Sequence, residues 1–151
     1  MLKVAKFGGS SMADAKQFEK VRDIVRADPA RKVIVVSAAG KRSADDHKLT
    51  DLLYLCYAHL QYGVNCDAVF QMICDRYIAI RDECAIDYPI EDDLDAIYES
   101  LSARTSADFL ASRGEYLAAK LMAAYLGFSF VDAKSWLQFD YAGNVLQEAS
   151  Y

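Results

Sequence analysis

A run of β-branched residues without polar alternation, residues 32–37 (KVIVVS), most restricts the folds that this chain can adopt. Such a run is typical of a strand that is covered on both faces, as in a parallel sheet. A shorter β-like run, residues 2–7, precedes it and stops at Gly8-Gly9, and a helical pattern lies between the two runs. Strand, helix and buried strand in this order predict a right-handed parallel βαβ unit, and therefore an α/β domain.

The helical pattern between the two runs has a clear start and end. Asp14 can cap it, Gln17 completes a capping-box pattern, and Asp28-Pro29 ends it. Its apolar face should pack on the sheet and consists of Phe18, Val21, Ile24 and Val25. Three more apolar patterns at helical spacing follow, in residues 49–62, 69–80 and 94–101.

The last third of the chain begins with a long helical pattern. Ser106 is placed to cap a helix over residues 107–126, which Gly127 should stop. Two further elements are expected after it, a strand at residues 128–131 and the start of a hairpin in residues 141–151.

Composition excludes several classes of protein. The 151 residues, 54% of them hydrophobic and 26% charged, suffice for the core of one domain. The formal charge of −5 argues against a nucleic-acid partner, and no apolar run is long enough to span a bilayer. No metal site is predicted, because the cysteines and histidines lack ligand spacing. The cysteines form no CxxC pair and are expected to be free thiols, as suits a cytoplasmic protein: Cys56, Cys66, Cys74 and Cys84.

Three segments could carry chemistry, and the first is the turn Gly8-Gly9-Ser10-Ser11 between the first strand and the helix. Glycines let a ligand approach the backbone, main-chain N–H groups and hydroxyls can donate to an anion, and Lys6 adds positive charge. The P-loop pattern is excluded, because its lysine follows the glycines and Lys6 precedes them. The alternative is an ordinary strand-to-helix turn with Lys6 in solvent.

The second segment follows the second predicted strand. Small residues from Ser37 to Gly40 permit close approach of a ligand, and the polar loop after them is long for an α/β connection. Thr50 and Asp51, at the start of the next helix, could bind a ligand or could simply cap that helix.

The third segment lies inside the long helix of residues 107–126. Gly114 costs such a helix about 1 kcal/mol relative to alanine, so it requires a reason in packing or access. Ser112 and Glu115 share one face of the helix, and apolar residues follow Glu115, an unusual setting for an idle charge.

Taken together, KFGGSS, VVSAAGKRSADDHKLTDLL and FLASRGEYLAAKLMAAYLGF resemble the N-terminal segments of aspartate kinases, members of the amino-acid kinase superfamily. The resemblance runs from Lys3 to about Trp136. It implies a three-layer αβα sandwich around a mainly parallel sheet. It also implies transfer of the γ-phosphate of ATP to L-aspartate, giving 4-phospho-L-aspartate and ADP, the first step of lysine, threonine and methionine biosynthesis.

The resemblance also assigns roles to residues at matching positions. Lys6 resembles the lysine that stabilises the transferring phosphoryl group, and the turn Gly8-Gly9-Ser10 resembles the segment that contacts phosphate. Ser37, Thr50 and Glu115 resemble the residues that hold aspartate. ATP and Mg²⁺ are the implied cofactors. The aspartate side chain is already ionised at neutral pH, so no general base is needed, and Glu115 can pair with the α-ammonium of the substrate.

Chains of that family are considerably longer than this one, and a later glycine-rich segment, GRGGSD, is not found here. We therefore expect residues 1–151 to form the N-terminal, aspartate-binding part of a kinase domain, without its nucleotide-binding half and the C-terminal ACT domains. An isolated chain of this kind should have no appreciable kinase activity. Its sheet should have an open edge prone to self-association, and the full-length enzyme is expected to be a homo-oligomer.

Two alternatives stay open at the level of sequence. The chain could be a non-catalytic module that binds an amino acid or associates with itself. It could also belong to another branch of the superfamily, such as the kinases for glutamate or acetylglutamate, which share the opening glycine-rich turn. The SxGE helix (Ser112 to Glu115) and the KLTDLL segment favour aspartate by resemblance.

Overall fold

The two early strands pair in parallel, as the sequence predicts. In the computed structural model, which describes residues 1–150, β1 (Lys3–Phe7) and β2 (Arg31–Val36) form a two-stranded sheet. Lys6 lies beside Val35 and Phe7 beside Val36 in the parallel register. The α/β class is thereby confirmed, and both strands end at the same edge of the sheet.

Helix α1 (Ala15–Arg26) connects the strands and begins as predicted, because the Asp14 carboxylate accepts a hydrogen bond of 2.9 Å from the Gln17 N–H. Phe18, Val21 and Val25 are buried in the core. Ile24 is 46% exposed, which corrects the predicted apolar face. At about 100° per residue, Ile24 falls well to one side of the line through the other three side chains.

Four more helices complete the core. They are α2 (Leu49–Gln61), α3 (Asp67–Glu83), α4 (Ile90–Ser100) and α5 (Ala107–Leu126). The ends of α5 are those predicted: the Ser106 hydroxyl accepts from the Phe109 N–H at 3.1 Å, and Gly127 adopts a left-handed conformation, φ 72°. No helix among residues 1–150 is long and apolar enough to cross a membrane.

Only one face of the sheet packs against the core. Phe7, Ile34 and Val36 contact the buried cluster, whereas Val33 and Val35, on the opposite face, are 43% and 46% exposed. The prediction of a second strand covered on both faces is therefore wrong for the described part of the chain. An uninterrupted apolar run shows that both faces of a strand could be buried, but it does not supply the layer that buries them. In this structure no described element covers the second face.

Residues 128–131 do not form the predicted strand. Within residues 1–150 they pair with no other strand, and a cavity of about 460 Å³ separates them from β2. A β-prone run becomes a strand only when a neighbour accepts its hydrogen bonds, and propensity alone does not supply one. The edge of β2 that faces away from β1 is thus open, as expected. The predicted hairpin is present as a single antiparallel bridge between Phe139 and Val145, and Tyr151 lies outside the described residues.

The packing of α5 against the chain after β2 depends on Gly114. A Cβ added at this position would lie 2.7 Å from the Cβ of Ala38 and 3.2 Å from Cδ1 of Leu53. The Tyr77 hydroxyl, buried on α3, donates a hydrogen bond of 2.5 Å to the Gly114 carbonyl. The glycine noted in the sequence therefore has a packing reason: it lets α5 touch the segment that follows β2.

We expect Gly114→Ala to lower the free energy of unfolding by about 1 kcal/mol. Overpacking a close contact costs roughly 1–3 kcal/mol, which exceeds the gain of about 1 kcal/mol from replacing glycine in a helix. Urea unfolding followed by circular dichroism measures the change. Gly8→Ala is the matched control, because a Cβ there meets nothing within 4 Å. Equal stability of Gly114→Ala and the unmodified chain would contradict the packing described.

Candidate functional site

The chain segments that follow β1 and β2 touch through their backbones. The Ser37 N–H donates to the Phe7 carbonyl at 3.0 Å, and the Gly40 N–H donates to the Gly9 carbonyl at 2.8 Å. A Cβ on Gly40 would lie 2.7 Å from the carbonyl carbon of Gly9. Because only glycine fits there, the sequence permits the two turns to meet at the carboxyl edge of the sheet, where ligands of open α/β sheets bind.

The turn after β1 leaves room beside Gly8. The segment Gly9–Met12 is a short 3₁₀ turn, closed by a hydrogen bond of 3.0 Å from the Ser11 N–H to the Gly8 carbonyl. Nothing in the chain lies within 4 Å of a Cβ built on Gly8, and its φ of −80° is open to any residue. Ser10 is exposed. The fold of residues 1–150 therefore does not itself require glycine at this position.

Lys6 lies one residue before the end of β1 and is exposed. Alternation along the strand places it on the sheet face that carries Val4, Val33 and Val35, away from the packed face. Its ammonium makes no ion pair or hydrogen bond within residues 1–150. The structure thus places this cation at the carboxyl edge of the sheet, on the open face.

Thr50 lies in the first turn of α2, beside the turn that follows β2. The Leu49 N–H donates to the Ala39 carbonyl at 3.0 Å, which ties the start of the helix to that turn. Lys48 occupies the N-cap position, so neither Thr50 nor Asp51 caps the helix. The capping alternative considered for these two residues is therefore wrong.

Glu115 follows the glycine that packs α5 against Ala38 and is exposed. Burial raises the pKa of the Tyr77 hydroxyl, and the negative charge of Glu115 adds to that rise. The Tyr77 hydroxyl also bonds to the carbonyl of Gly114, the residue before Glu115, which ties this turn of α5 to α3. Ser112 is turned to its own helix, where its hydroxyl donates to the Phe109 carbonyl at 2.7 Å.

The predicted residues thus gather around two neighbouring turns. Gly8, Gly9 and Ser10 belong to the first, Ser37 begins the second, and Thr50 and Glu115 belong to helices held against the second. Among residues 1–150, no three or more His, Cys, Asp or Glu residues are grouped so that they could hold a metal ion. The donor set described here does not form a Mg²⁺ site by itself.

One buried arginine, Arg76, was not singled out by the sequence analysis. Arg76 is 5% exposed, and its guanidinium donates to the backbone carbonyls of Ala13, Gly40 and His47 and to the carboxylate of Asp46. A signal was present. In the stripe of α3, Arg76 takes a position at helical spacing among the apolar residues Ile73, Tyr77 and Ile80.

The Asp46 carboxylate completes this cluster. Arg42 binds it through two nitrogens, Nε at 2.8 Å and Nη2 at 2.9 Å, and Arg76 approaches it at 3.1 Å. The hydrogen bond from Arg42, with the positive charge of Arg76, holds the pKa of the Asp46 carboxyl well below its usual range. Burial lowers the pKa of Arg76. Two cations and one carboxylate therefore fix the loop after β2.

We predict that Asp46 stabilises the fold at neutral pH and loses that effect in acid. Its pKa is lower in the folded than in the unfolded chain, so its contribution is present above about pH 4 and declines as the pH falls below that value. In urea unfolding, the difference between the unmodified chain and Asp46→Asn should shrink from pH 7 to pH 3. Asp45→Asn, at an exposed neighbour, is the control. A difference that is constant with pH would contradict the pairing.

Comparison with known proteins shows the family to which this chain belongs. The model of the amino acid kinase family matches residues 1–147. The chain is 39% identical to aspartokinase 3 of Bacillus subtilis over 139 residues, which is 88% of this chain and 31% of that protein. It is 30% identical to the chloroplastic aspartokinase 1 of Arabidopsis thaliana, over 98% of this chain and 29% of that protein.

Solved structures give the same result. The chain superposes on the aspartate kinase of Clostridium acetobutylicum with a TM-score of 0.96 and 45% identity, covering 99% of this chain and 35% of that one. It is also similar to E. coli aspartokinase III in complex with aspartate and ADP, with a TM-score of 0.65 and 29% identity, over 84% and 29% of the two chains. The chain spans about a third of the length of the relatives that it matches.

Proposed function

Because the chain belongs to the amino acid kinase family, we propose that it is the aspartate-binding part of an aspartate kinase. The observation that carries the proposal is the meeting of the two glycine turns and the Glu115 segment of α5 at the carboxyl edge of the sheet. Both curated relatives described above are aspartokinases, and one related structure contains aspartate and ADP. These relatives favour aspartate over glutamate or acetylglutamate as the acceptor.

The proposed reaction of the whole enzyme is the attack of an aspartate side-chain oxygen on the γ-phosphorus of ATP. A new P–O bond forms, the bond between the γ-phosphorus and the bridging oxygen breaks, and ADP leaves with that electron pair. The attacking carboxylate is ionised at neutral pH, so no proton has to move. Neutralising charge and aligning the two anions are therefore the main tasks of the protein.

We assign the phosphate side of the site to the turn after β1. Main-chain N–H groups of Gly8, Gly9 and Ser10 would donate to phosphate oxygens, and the space beside Gly8 leaves room for a ligand to approach. Lys6, exposed at the end of β1, would offset the charge on the transferring group. ATP is the proposed phosphate donor. Mg²⁺, which usually binds phosphates and water, would neutralise phosphate charge.

We assign the aspartate side of the site to the turn after β2 and to its two neighbouring helices. Ser37 and Thr50 are half-buried and supply hydroxyls beside the Gly9–Gly40 contact. Glu115 would pair with the α-ammonium, which decides which of the two substrate carboxylates faces the phosphate. The full-length enzyme is proposed to be a cytoplasmic homo-oligomer that begins lysine, threonine and methionine biosynthesis. The free thiols of the four cysteines agree with that compartment.

Isothermal titration with L-aspartate tests the assignment of Glu115. Glu115→Gln keeps the shape of the side chain and removes its charge, so the affinity should fall about tenfold or more. Asp108→Asn, an exposed position on the same helix, should leave the affinity unchanged. Succinate, which lacks the α-ammonium, should bind weakly and equally to both the unmodified chain and Glu115→Gln.

Two outcomes would contradict the proposal. Equal affinity of Glu115→Gln and the unmodified chain for aspartate would remove Glu115 from the site. A chain that shows no saturable binding of aspartate would favour the alternative of a scaffold that associates with itself.

We also expect residues 1–151 alone to show no kinase turnover. The chain spans about a third of its relatives, and the proposed site needs further groups for the nucleotide. A coupled assay of ADP release with aspartate and Mg-ATP measures this. Turnover at the rate of a complete aspartate kinase would show that the whole site lies within this chain.

A further inference from the structure

The buried guanidinium of Arg76 is hydrogen-bonded to both turns of the proposed site. Its Nη2 donates to the Ala13 carbonyl at 3.0 Å and to the Gly40 carbonyl at 2.7 Å. Its Nη1 donates to the His47 carbonyl at 3.1 Å and to Asp46 Oδ2 at 3.1 Å. Ala13 directly follows the 3₁₀ turn after β1, and Gly40 and His47 lie at the two ends of the loop after β2.

No other side chain among residues 1–150 is hydrogen-bonded to both segments. Arg42 and Lys41 bond only within the loop after β2. Tyr77 reaches the Gly114 carbonyl on α5. Apart from the direct backbone hydrogen bonds Ser37–Phe7 and Gly9–Gly40, the described polar link between the two segments therefore passes through Arg76.

A charge at this place in a helix is costly. Arg76 lies on the buried face of α3 with Ile73, Tyr77 and Ile80, where an apolar side chain would pack without losing the hydration of an ion. Replacing buried ion pairs by apolar residues is often neutral or stabilising in proteins. Core stability alone therefore does not account for an arginine here. Three of its four acceptors are backbone carbonyls of the turns, whose positions the guanidinium fixes.

We propose that Arg76 is a positioning residue, which sets the separation of the phosphate-binding turn after β1 and the aspartate-binding turn after β2. It touches neither ligand in this scheme and acts through the backbone at Ala13, Gly40 and His47. The identity of the two segments as ligand-binding turns rests on the proposed function. The hydrogen bonds by which Arg76 links the two segments do not depend on that proposal.

Amide hydrogen exchange tests the link through Arg76 without any ligand. In Arg76→Met, which keeps the length of the side chain and removes its donors, the Ser11, Gly40 and Leu49 amides should exchange about tenfold faster or more. Arg81→Met is the matched control, an arginine of the same helix that pairs with Glu91 and Asp82. It should leave those three amides unchanged. Amides in the second half of α5, to which neither arginine is hydrogen-bonded among the described residues, report global unfolding, and the rates are corrected for it.

Chemical rescue tests the positioning role itself. A cavity of about 360 Å³ borders Arg76, so free guanidinium can reach the space vacated in Arg76→Ala. Millimolar guanidinium chloride should restore slow exchange at Gly40 and tighten the weakened binding of L-aspartate, whereas an equal concentration of sodium chloride should not. Arg76→Lys, which keeps the charge but not the planar fork of donors, should be only partly impaired and serves if the smaller variants fail to fold.

Two results would overturn the proposal. The first is equal protection of Ser11, Gly40 and Leu49 in the Arg76 and Arg81 variants after correction for unfolding. The second is faster exchange spread uniformly over the chain, because that pattern reports only lower global stability. If the unmodified chain binds no aspartate, the proposed function fails, while the exchange experiment still decides the role of Arg76.

Discussion

Close backbone contact at the carboxyl edge of the parallel sheet is the constraint on which the rest of this structure depends. Gly40 and Gly9 approach so closely that a methyl group on Gly40 would collide with the neighbouring chain. Gly114 brings a long helix against Ala38 in the same way. Three segments that are far apart in sequence can therefore share one small region, because glycines stand at the points of contact. Polar groups that are adjacent to these glycines in the sequence therefore lie near that region.

Charge is distributed unequally around this region. Lys6 and Glu115 are exposed, whereas Arg76 is buried and both of its terminal nitrogens are hydrogen-bonded to the protein's own carbonyls and to Asp46. A phosphate and an amino acid need opposite charges at fixed places, and flexible surface side chains alone would not fix those places. The buried arginine holds the turns, and the exposed charges stand at their edges. In the proposed chemistry, Lys6 and Glu115 therefore bind the ligands, and Arg76 fixes the positions of the turns.

Local signals in the sequence predicted local structure well. The cap at Asp14, the stop at Gly127 and the parallel pairing of β1 and β2 follow from short-range geometry, and the structure confirms them. The predictions that failed depend on distant partners. Within residues 1–150, residues 128–131 have β propensity but no neighbouring strand, and Val33 and Val35 have no layer over them. The proximity of the candidate residues followed from the parallel topology, whereas the role of Arg76 required knowing which carbonyls it meets. An arginine on an apolar helix face indicates a buried charge that needs partners, but the sequence does not show which groups accept its hydrogen bonds.

Amide NMR during titration with L-aspartate tests most directly whether these segments form one site. We expect saturable chemical-shift changes for the backbone amides of five residues, all with the same dissociation constant: Gly8, Gly9, Ser37, Thr50 and Glu115. Amides of α4, on a helix that carries none of these residues, should not move. Shifts confined to other parts of the chain, or different constants for the two turns, would contradict the claim that the two turns meet in one site.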